Sequence, residues 1–298
     1  MTAVTTVRSL LDDLQMTPVE GVEGRYRIDF DASWKVLYIF GGVTFATLVE
    51  AAIAHIGRAD LSPVSAQATY IEPVLEGPAA VQIDVLRSGR RGAQVRASLW
   101  NAEDPATPGA EAVVMDLVLG VHDPAAVDVI DRTMPADAGR PENAASREEM
   151  YEQYVEVPFH RQAEFRVVTD LESTHANEGR TITWFRMSEP TIDDSGAWRP
   201  STLGVPGDIL GPAVSRASGG GRYFVVTLQL SLQWFAPATT EWICQHTVVV
   251  RAANGFTTGT AELWSQDGEL VGFATQTALM RPFARVQADG FGAEETQG

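Results

Sequence analysis

The sequence has little of what secreted and membrane-inserted proteins need. It contains one cysteine, Cys244, which excludes a disulfide framework and, within an apolar stretch, predicts a buried thiol rather than a nucleophile. No apolar run is long enough for a membrane-spanning helix, and the N-terminal stretch carries Asp12 and Asp13 where a signal peptide would be apolar. We therefore expect a cytoplasmic protein.

Positive charge is also scarce. The chain has 22 lysine and arginine residues against 39 aspartate and glutamate residues, a net charge of −17. Nucleic acids and anionic membranes are polyanions, so this balance argues against both as partners. Arg87, Arg90, Arg91 and Arg96 cluster around one predicted hairpin and are the best candidates for a local basic patch, although a solvated turn also explains them. With 45% apolar residues, a chain of 298 suits two globular domains.

One stretch of the sequence occurs twice. Residues 227–237 alternate between polar and apolar side chains, so Thr227 and Leu228 fall on opposite faces of a predicted half-buried strand. Residues 63–73, which lie 164 positions earlier, align with this stretch without a gap. The same offset relates the tryptophans near the ends of two later predicted strands. These matches indicate a fused duplication.

Each half has the pattern of one helix followed by a run of strands, which predicts an α+β fold. The first helix begins near Gly42 and is apolar on nearly all sides, as expected for a helix wrapped by a sheet, and the second begins near Gly207. We divide the chain into a first half at 1–122, a linker at 123–150, a second half at 151–285 and a disordered tail at 286–298.

The duplication also suggests candidate functional residues, because a position that is polar in one copy alone is not required by the fold. Three such positions in the second half are Asp208, Thr227 and Gln276. Their counterparts in the first half are Val43, Pro63 and either Asp116 or Leu117. Structural explanations stay open, since an Asp in a first helical turn favours the helix dipole and Thr or Gln in a strand can face solvent.

The glycines at the two predicted helix starts, Gly42 and Gly207, are candidates for a second role. Without side chains they let another group approach the free N–H donors of the first turn, where the helix dipole favours negative charge. A tight turn explains these glycines equally well.

Several stretches are recurring blocks of a known family: FGGVTFATLVEAA, SAQATYIEPV followed by VLRSGRR, GDILGPAV, TLQLSLQWF and ELVGFATQTALMRP. They resemble the double-hotdog acyl-CoA thioesterases, of the acyl-CoA thioesterase II type and its actinobacterial relatives, over most of residues 35–283. The resemblance implies an α+β double hotdog, in which each half is a long helix wrapped by an antiparallel sheet. The chain departs from the family pattern at Gln229 and Leu230, where many members have Asp-His, and this departure bears on the preferred acyl chain.

The resemblance implies an activity. The family's catalytic Asp, Thr and Gln match Asp208, Thr227 and Gln276, the positions that the duplication had separated. The expected reaction is hydrolysis of an acyl-CoA thioester to the free acid and CoA, with Asp208 as the base and the other two residues fixing it and the attacking water.

This reaction needs donors for the developing oxyanion, and the backbone N–H groups at Gly42 or Gly207 are the candidates. Arg87, Arg90 and Arg91 of the basic patch are the candidates for binding the phosphates of CoA. Acyl-CoA is the expected ligand, and no metal, cofactor or covalent nucleophile is required. The expected assembly is a homodimer or a higher homo-oligomer.

Two other interpretations stay open. Double hotdogs include enoyl-CoA hydratases and dehydratases, which use an Asp and a His five positions later. Asp170 and His175 have this spacing but lack the Gly before the Asp and the Asn-Pro after it. The third interpretation is a catalytically silent acyl-binding protein, against which the intact Asp, Thr and Gln argue.

Overall fold

The predicted strands form and pair with one another. The computed structural model describes residues 6–123, 125–150, 157–169, 178–219 and 223–282. The strands are β1 Thr17–Pro18, β2 Arg25–Phe30, β3 Ser62–Tyr70, β4 Gly77–Gly89, β5 Gly92–Asn101, β6 Val113–Gly120, β7 Ala145–Ser146, β8 Ala163–Val167, β9 Arg180–Met187, β10 Tyr223–Trp234, β11 Ile243–Ala253, β12 Phe256–Ser265 and β13 Leu270–Pro282. The helices are α1 Leu10–Asp13, α2 Gly41–Ile56, α3 Arg147–Met150, α4 Gly204–Gly207 and α5 Leu210–Ala217.

Within the described residues, these strands make one antiparallel sheet in the order β1-β2-β4-β5-β6-β3-β10-β13-β12-β11-β9-β8-β7. The first half supplies β1 to β6, and the pairing of β3 with β10 joins it to the second half. Gln67 pairs with Ser231, which is its own counterpart at the 164-residue offset. A pseudo-two-fold axis therefore passes through this pair, and the duplication is present in the structure as symmetry.

Each half of the sheet wraps around a helix. Phe45, Leu48 and Val49 of α2 are fully buried, in keeping with a helix that is apolar on nearly all sides. The helix ends at Gly57, whose φ of +61° lies in the left-handed region that glycine adopts without strain. In the second half α5 packs against β9, β10 and β11. The expected α+β double hotdog is confirmed.

The two halves share a core instead of forming separate domains. One continuous cluster of buried side chains contains Phe45 and Leu99 from the first half with Phe185, Leu232 and Leu263 from the second. Because burial of apolar surface is the main stabilising contribution, the halves are expected to fold as one cooperative unit.

The second helix differs from its prediction. The sequence predicts one helix from about Gly207, whereas α4 ends at Gly207 and α5 begins at Leu210. Asp208 lies in the break, with φ −96° and ψ 64°, and so does not belong to a first helical turn. Pro212 contributes to the break because it has no N–H to donate to the carbonyl of Asp208 four residues earlier. Gly207 therefore ends a helix, and the expectation that it presents free N–H groups of a helix start is wrong.

The segment predicted as a linker, 123–150, covers the outer face of the second half. Phe185 belongs to the shared core, while its neighbour Trp184 belongs to a second buried cluster on the opposite face of β9. The linker closes over that cluster, and its Ala138 accepts a hydrogen bond from the indole N–H of Trp184 at 3.0 Å. It ends in β7 and α3, so the second half of the sheet begins before 151. The predicted boundary at 151 and the predicted tail at 286–298 lie outside the described residues.

Three further predictions concern the whole chain. Cys244 is fully buried, as predicted, and burial raises the pKa of its thiol to about 12. None of the helices in the described part of the chain has the length and apolar character needed to cross a bilayer. Both strands at the sheet edges, β1 and β7, have two residues, which limits pairing between edges of neighbouring molecules. Homo-oligomerisation stays a prediction.

Candidate active site

A β-bulge decides which way Thr227 points. The pairing register of β10 shifts between Thr227 and Gln229, which inserts one extra residue. Thr227 pairs with Ala278, and Leu230 pairs with Gln276. Directly paired residues share a face of the sheet, and residues two apart in one strand do as well. Thr227 therefore faces inward with Gln276, and the outward orientation that strict alternation predicts for it is wrong.

Asp208, in the break between α4 and α5, meets these two side chains. The hydroxyl of Thr227 donates to Oδ1 of Asp208 at 2.8 Å. Nε2 of Gln276 lies 2.6 Å from that oxygen and 2.6 Å from Oγ1 of Thr227, with one N–H for each. Oε1 of Gln276 accepts from the N–H of Leu210 at 3.1 Å, which orients the amide. The three residues form one hydrogen-bonded group, called the trio below.

Burial raises the basicity of Asp208. Asp208 is 5% exposed, and desolvation raises the pKa of its carboxyl group from 3.8 to about 6. The hydroxyl of Thr227 and the backbone N–H of Gly42 act in the opposite direction and limit this rise. A carboxylate with this pKa is mostly ionised at neutral pH yet accepts a proton more readily than a solvated one, which is what a general base requires.

The first half completes the site through the start of α2. A Cβ at Gly41 would lie 2.5 Å from Oδ2 of Asp208, so only glycine allows the carboxylate this position. A Cβ at Gly42 would lie 2.7 Å from Cα of Val205, so that glycine allows α2 and α4 to cross closely. The N–H of Gly42 interacts with the carboxylate at the positive end of the helix dipole. The site therefore lies between the two halves.

A cavity of about 380 Å³ opens onto the trio, all three members of which line it. Its walls are mostly aliphatic and aromatic and come from both halves, including Val36, Phe40 and Tyr70 from the first and Phe159 and Val225 from the second. An apolar cavity with a few convergent polar groups is typical of a small-molecule site.

Two protein-family models match this chain. A family model described as the acyl-CoA thioesterase N-terminal domain matches residues 30–116, and one described as the acyl-CoA thioesterase C-terminal domain matches residues 131–280. The chain belongs to the acyl-CoA thioesterase family. A search of curated proteins by sequence finds no match.

Solved structures share the fold of this family member over most of its length. A hot dog fold protein of unknown function from Alicyclobacillus acidocaldarius is 18% identical, with a TM-score of 0.78 over 93% of this chain and 99% of its own. Acyl-CoA thioesterase II TesB2 from Mycobacterium marinum is 16% identical, with a TM-score of 0.66 over 92% and 98%. The dehydratase domain of RzxB from Pseudomonas fluorescens is 12% identical, with a TM-score of 0.54 over 87% and 94%. These likenesses establish the hotdog fold alone.

In this thioesterase-family chain the first half has the same strand register as the site without its polar side chains. Strand β3 has the same bulge next to Pro63, the counterpart of Thr227. Leu117 holds the register position in β6 that Gln276 holds in β13, so Leu117 rather than Asp116 is the counterpart of Gln276. Leu117 is buried, and the matching place in the first half is thus apolar.

The predicted arginine patch is not brought to the cavity. Arg87, Arg90 and Arg91 lie in and beside the β4–β5 turn, past the C-terminal end of α2, where Arg58 donates to the carbonyl of Arg90 at 3.0 Å. The 16 residues of α2 span about 24 Å, and Asp208 lies at the opposite end of this helix. The role of the three arginines in binding CoA phosphates stays a prediction.

The pair predicted for a hydratase, Asp170 and His175, lies outside the described residues. The cavity is lined by a different histidine, His160. Burial and the nearby charge of Arg147 lower the pKa of His160 to about 2, so its imidazole is neutral throughout the physiological range.

Two residues at the site were missed by reasoning from sequence. The first is Gly41, whose contact with Asp208 depends on the second half and has no local signal in the sequence. The second is Tyr70, whose hydroxyl donates to the carbonyl of Gly41 at 2.9 Å and which aligns with Trp234 at the 164-residue offset. The signal available in the sequence was that this aligned position has a hydroxyl group in one repeat and none in the other.

Proposed function

We propose that this protein hydrolyses acyl-CoA thioesters by general-base attack of water. The observation that carries the proposal is the buried trio at the apolar cavity. Oδ1 of Asp208 accepts hydrogen bonds from both Thr227 and Gln276. This leaves Oδ2, on the side of Gly41, to orient a water molecule toward the thioester.

The reaction follows from the chemistry of these groups. Asp208 takes a proton from the water as its oxygen bonds to the carbonyl carbon, and the carbonyl oxygen becomes an oxyanion. Backbone N–H groups stabilise that charge in such sites. The N–H of Gly42, a candidate from the sequence, is engaged by the carboxylate of Asp208 instead. When the oxyanion collapses, the C–S bond breaks and the proton on Asp208 passes to the departing thiolate. The products are the free acid and CoA, and Asp208 is ionised again.

The apolar walls support an acyl group as the part of the substrate that enters the cavity. Water that reaches the thioester would then be limited to the position that Asp208 holds, because aliphatic and aromatic side chains offer it no hydrogen bonds. The size and shape of the cavity should set the preferred acyl chain length, which the assay below measures.

The test is release of free CoA thiol from a panel of acyl-CoA esters that differ in chain length and branching. Asp208→Asn keeps the shape of the side chain and removes the proton acceptor, so kcat should fall by about 10² or more. Thr227→Ala and Gln276→Ala should each cost less, and their effects should not add to that of Asp208→Asn because the three groups act on one water.

The matched control is Val43→Thr, which introduces a polar group at the first-half counterpart and should change stability without changing kcat. An Asp208→Asn variant that turns over thioesters at the wild-type rate would refute the proposed base. Hydration of an enoyl-CoA ester in the same panel, without thiol release, would favour the hydratase interpretation instead.

A further inference from the structure

The peptide unit between Gly41 and Gly42 has both of its polar groups engaged. Its carbonyl accepts a hydrogen bond from the hydroxyl of Tyr70 at 2.9 Å and a second from the hydroxyl of Thr44 at 2.9 Å. Its N–H, on Gly42, interacts with the carboxylate of Asp208. One planar group thus connects two hydroxyls of the first half to the base in the second half.

Hydrogen bonds that share a peptide unit strengthen one another. Donation to the carbonyl polarises the amide, and the polarised N–H becomes a stronger donor to the anion on its other side. The same two bonds also fix the orientation of the peptide. Tyr70 is a constant donor, because burial and the charge of Asp208 raise the pKa of its phenol well above the usual value and keep it protonated.

We propose that Tyr70 is a positioning residue that acts through the Gly41–Gly42 peptide to stabilise the ionised form of Asp208. Its catalytic meaning rests on the proposed thioesterase function, but the link between the two side chains does not. Within the described residues, the other titratable side chains that line the cavity are Tyr38, Glu72, Arg147, His160 and Tyr223.

The other repeat supports a dedicated role for the tyrosine hydroxyl. Trp234 is the counterpart of Tyr70 at the 164-residue offset, and its indole N–H donates to the carbonyl of Pro200 at 2.8 Å. Trp234 therefore anchors the short turn before α4, and it has no hydroxyl to direct at a helix start. The fold accepts either aromatic residue at this position, and the repeat that faces Asp208 carries the one with a hydroxyl.

The test measures the ionisation of Asp208 directly, without substrate. The carboxyl carbon of Asp208 is followed by ¹³C NMR as a function of pH in the wild type and in Tyr70→Phe, with Asp208→Asn used for assignment. Loss of one hydrogen bond acting through the peptide should raise the titration midpoint by about half to one pH unit. Thr44→Val removes the other donor to the same carbonyl and should shift the midpoint in the same direction, which keeps the test open if Tyr70→Phe fails to fold.

Trp234→Phe is the control. It changes the counterpart of Tyr70 in the other repeat, whose indole bonds to Pro200 and not to the Gly41–Gly42 peptide, so the midpoint should stay unchanged. An unchanged midpoint in both Tyr70→Phe and Thr44→Val would overturn the proposal. If the wild type hydrolyses no thioester, the proposed function fails, yet the NMR titration still decides whether Tyr70 acts on Asp208.

Kinetics supply a second measurement. The acidic limb of kcat/KM should shift upward with the midpoint, so Tyr70→Phe should lose about 3-fold to 10-fold at pH below 6 and almost nothing at pH 8. A loss of equal size at every pH would contradict the proposal, because it would mean that Tyr70 supports the fold or an oxyanion donor instead of the base.

Discussion

The two halves of the molecule pair their strands in the same way and differ in the side chains that they bury. Both have a bulge in the strand at their junction and a second register shift in the following hairpin, at Val85 in one half and Val249 in the other. The second half buries Gln276 where the first buries Leu117. The comparison teaches that a hotdog half folds without the trio, so the fold does not require these three polar side chains.

The first half is nevertheless part of the site. Its helix α2 is unbroken over 16 residues, and its start, at Gly41, lies against the carboxylate of Asp208. The second helix is interrupted between Gly207 and Leu210, and Asp208 lies in that break beside the start of α2. One half therefore carries the trio, and the other supplies the backbone that faces it.

The outer faces of the halves differ as well. On the first half Arg96 and Asp116 form an exposed ion pair at 2.9 Å, and this face is open to solvent. On the second half the linker covers the sheet, and its Arg132 binds the largely buried Glu262 at 2.5 Å. The outer face thus carries a solvated ion pair in the first half and, in the second half, a buried cluster that the linker closes over.

The sharpest contrast between the halves is the buried carboxylate of Asp208, whose counterpart in the first half is the apolar Val43. Because the folded pKa of about 6 exceeds the reference value of 3.8, the folded protein binds more protons than the unfolded chain between these values. The ionised carboxylate therefore lowers the free energy of unfolding above pH 6 by up to about 3 kcal/mol. This loss of stability disappears as the pH falls toward 4.

Asp208→Asn should accordingly be more stable than the wild type at pH 7, and the difference in free energy of unfolding should shrink by pH 4. Urea denaturation of both proteins at pH 7, 5 and 4 measures this. In the wild type, kcat/KM should rise with pH through about 6 as the base ionises. A stability difference that does not depend on pH would contradict the raised pKa.

Substitutions at the neighbouring Gly41 and Gly42 should separate an effect on activity from an effect on stability. Gly41→Ala places a methyl group against Oδ2 of Asp208, and displacing the base by about 1 Å should lower kcat by about 10². Gly42→Ala meets the backbone of Val205 and Gly204 instead, and this overpacking should cost about 1–3 kcal/mol of stability. Kinetics and thermal unfolding of both variants give the comparison, and equal effects of the two on unfolding would argue against it.

Gln276→Leu makes the second half resemble the first at this register position. The variant should fold, since Leu117 is buried at the equivalent place, but it removes a hydrogen bond to a charged group and should lower kcat by about 10-fold or more. Thr277→Val, on the opposite face of β13, is the control and should leave kcat unchanged. Wild-type kcat in Gln276→Leu would show that Thr227 alone holds the base.

The smallest expected effects come from the two outer faces. Arg96→Ala removes an ion pair whose two side chains are 51% and 59% exposed, and should change stability by about 0–0.5 kcal/mol. Arg132→Ala removes a bond to Glu262, whose side chain is 9% exposed, and should cost about 1–2 kcal/mol. Chemical denaturation in low and high salt distinguishes them, and similar values for both would mean that the linker does not stabilise the second half.

Much of the fold could be predicted because it is encoded in local patterns. Alternation over residues 227–237 predicts most of β10, and the apolar run after Gly42 predicts α2. The 164-residue offset predicts two equivalent halves, and the polar differences between them predict Asp208, Thr227 and Gln276. Each of these signals is carried by residues close together in sequence or by a comparison of one copy with the other.

The orientation of those residues was decided by tertiary structure alone. Alternation places Thr227 on the outer face, and only the pairing of β10 with β13 reveals the bulge that turns it inward. The contacts of Asp208 with Gly41 and of the linker with Trp184 join residues far apart in the sequence. The physical reason is that local preference fixes the backbone conformation of a segment, whereas the partner of each side chain depends on how distant segments bury their apolar faces together.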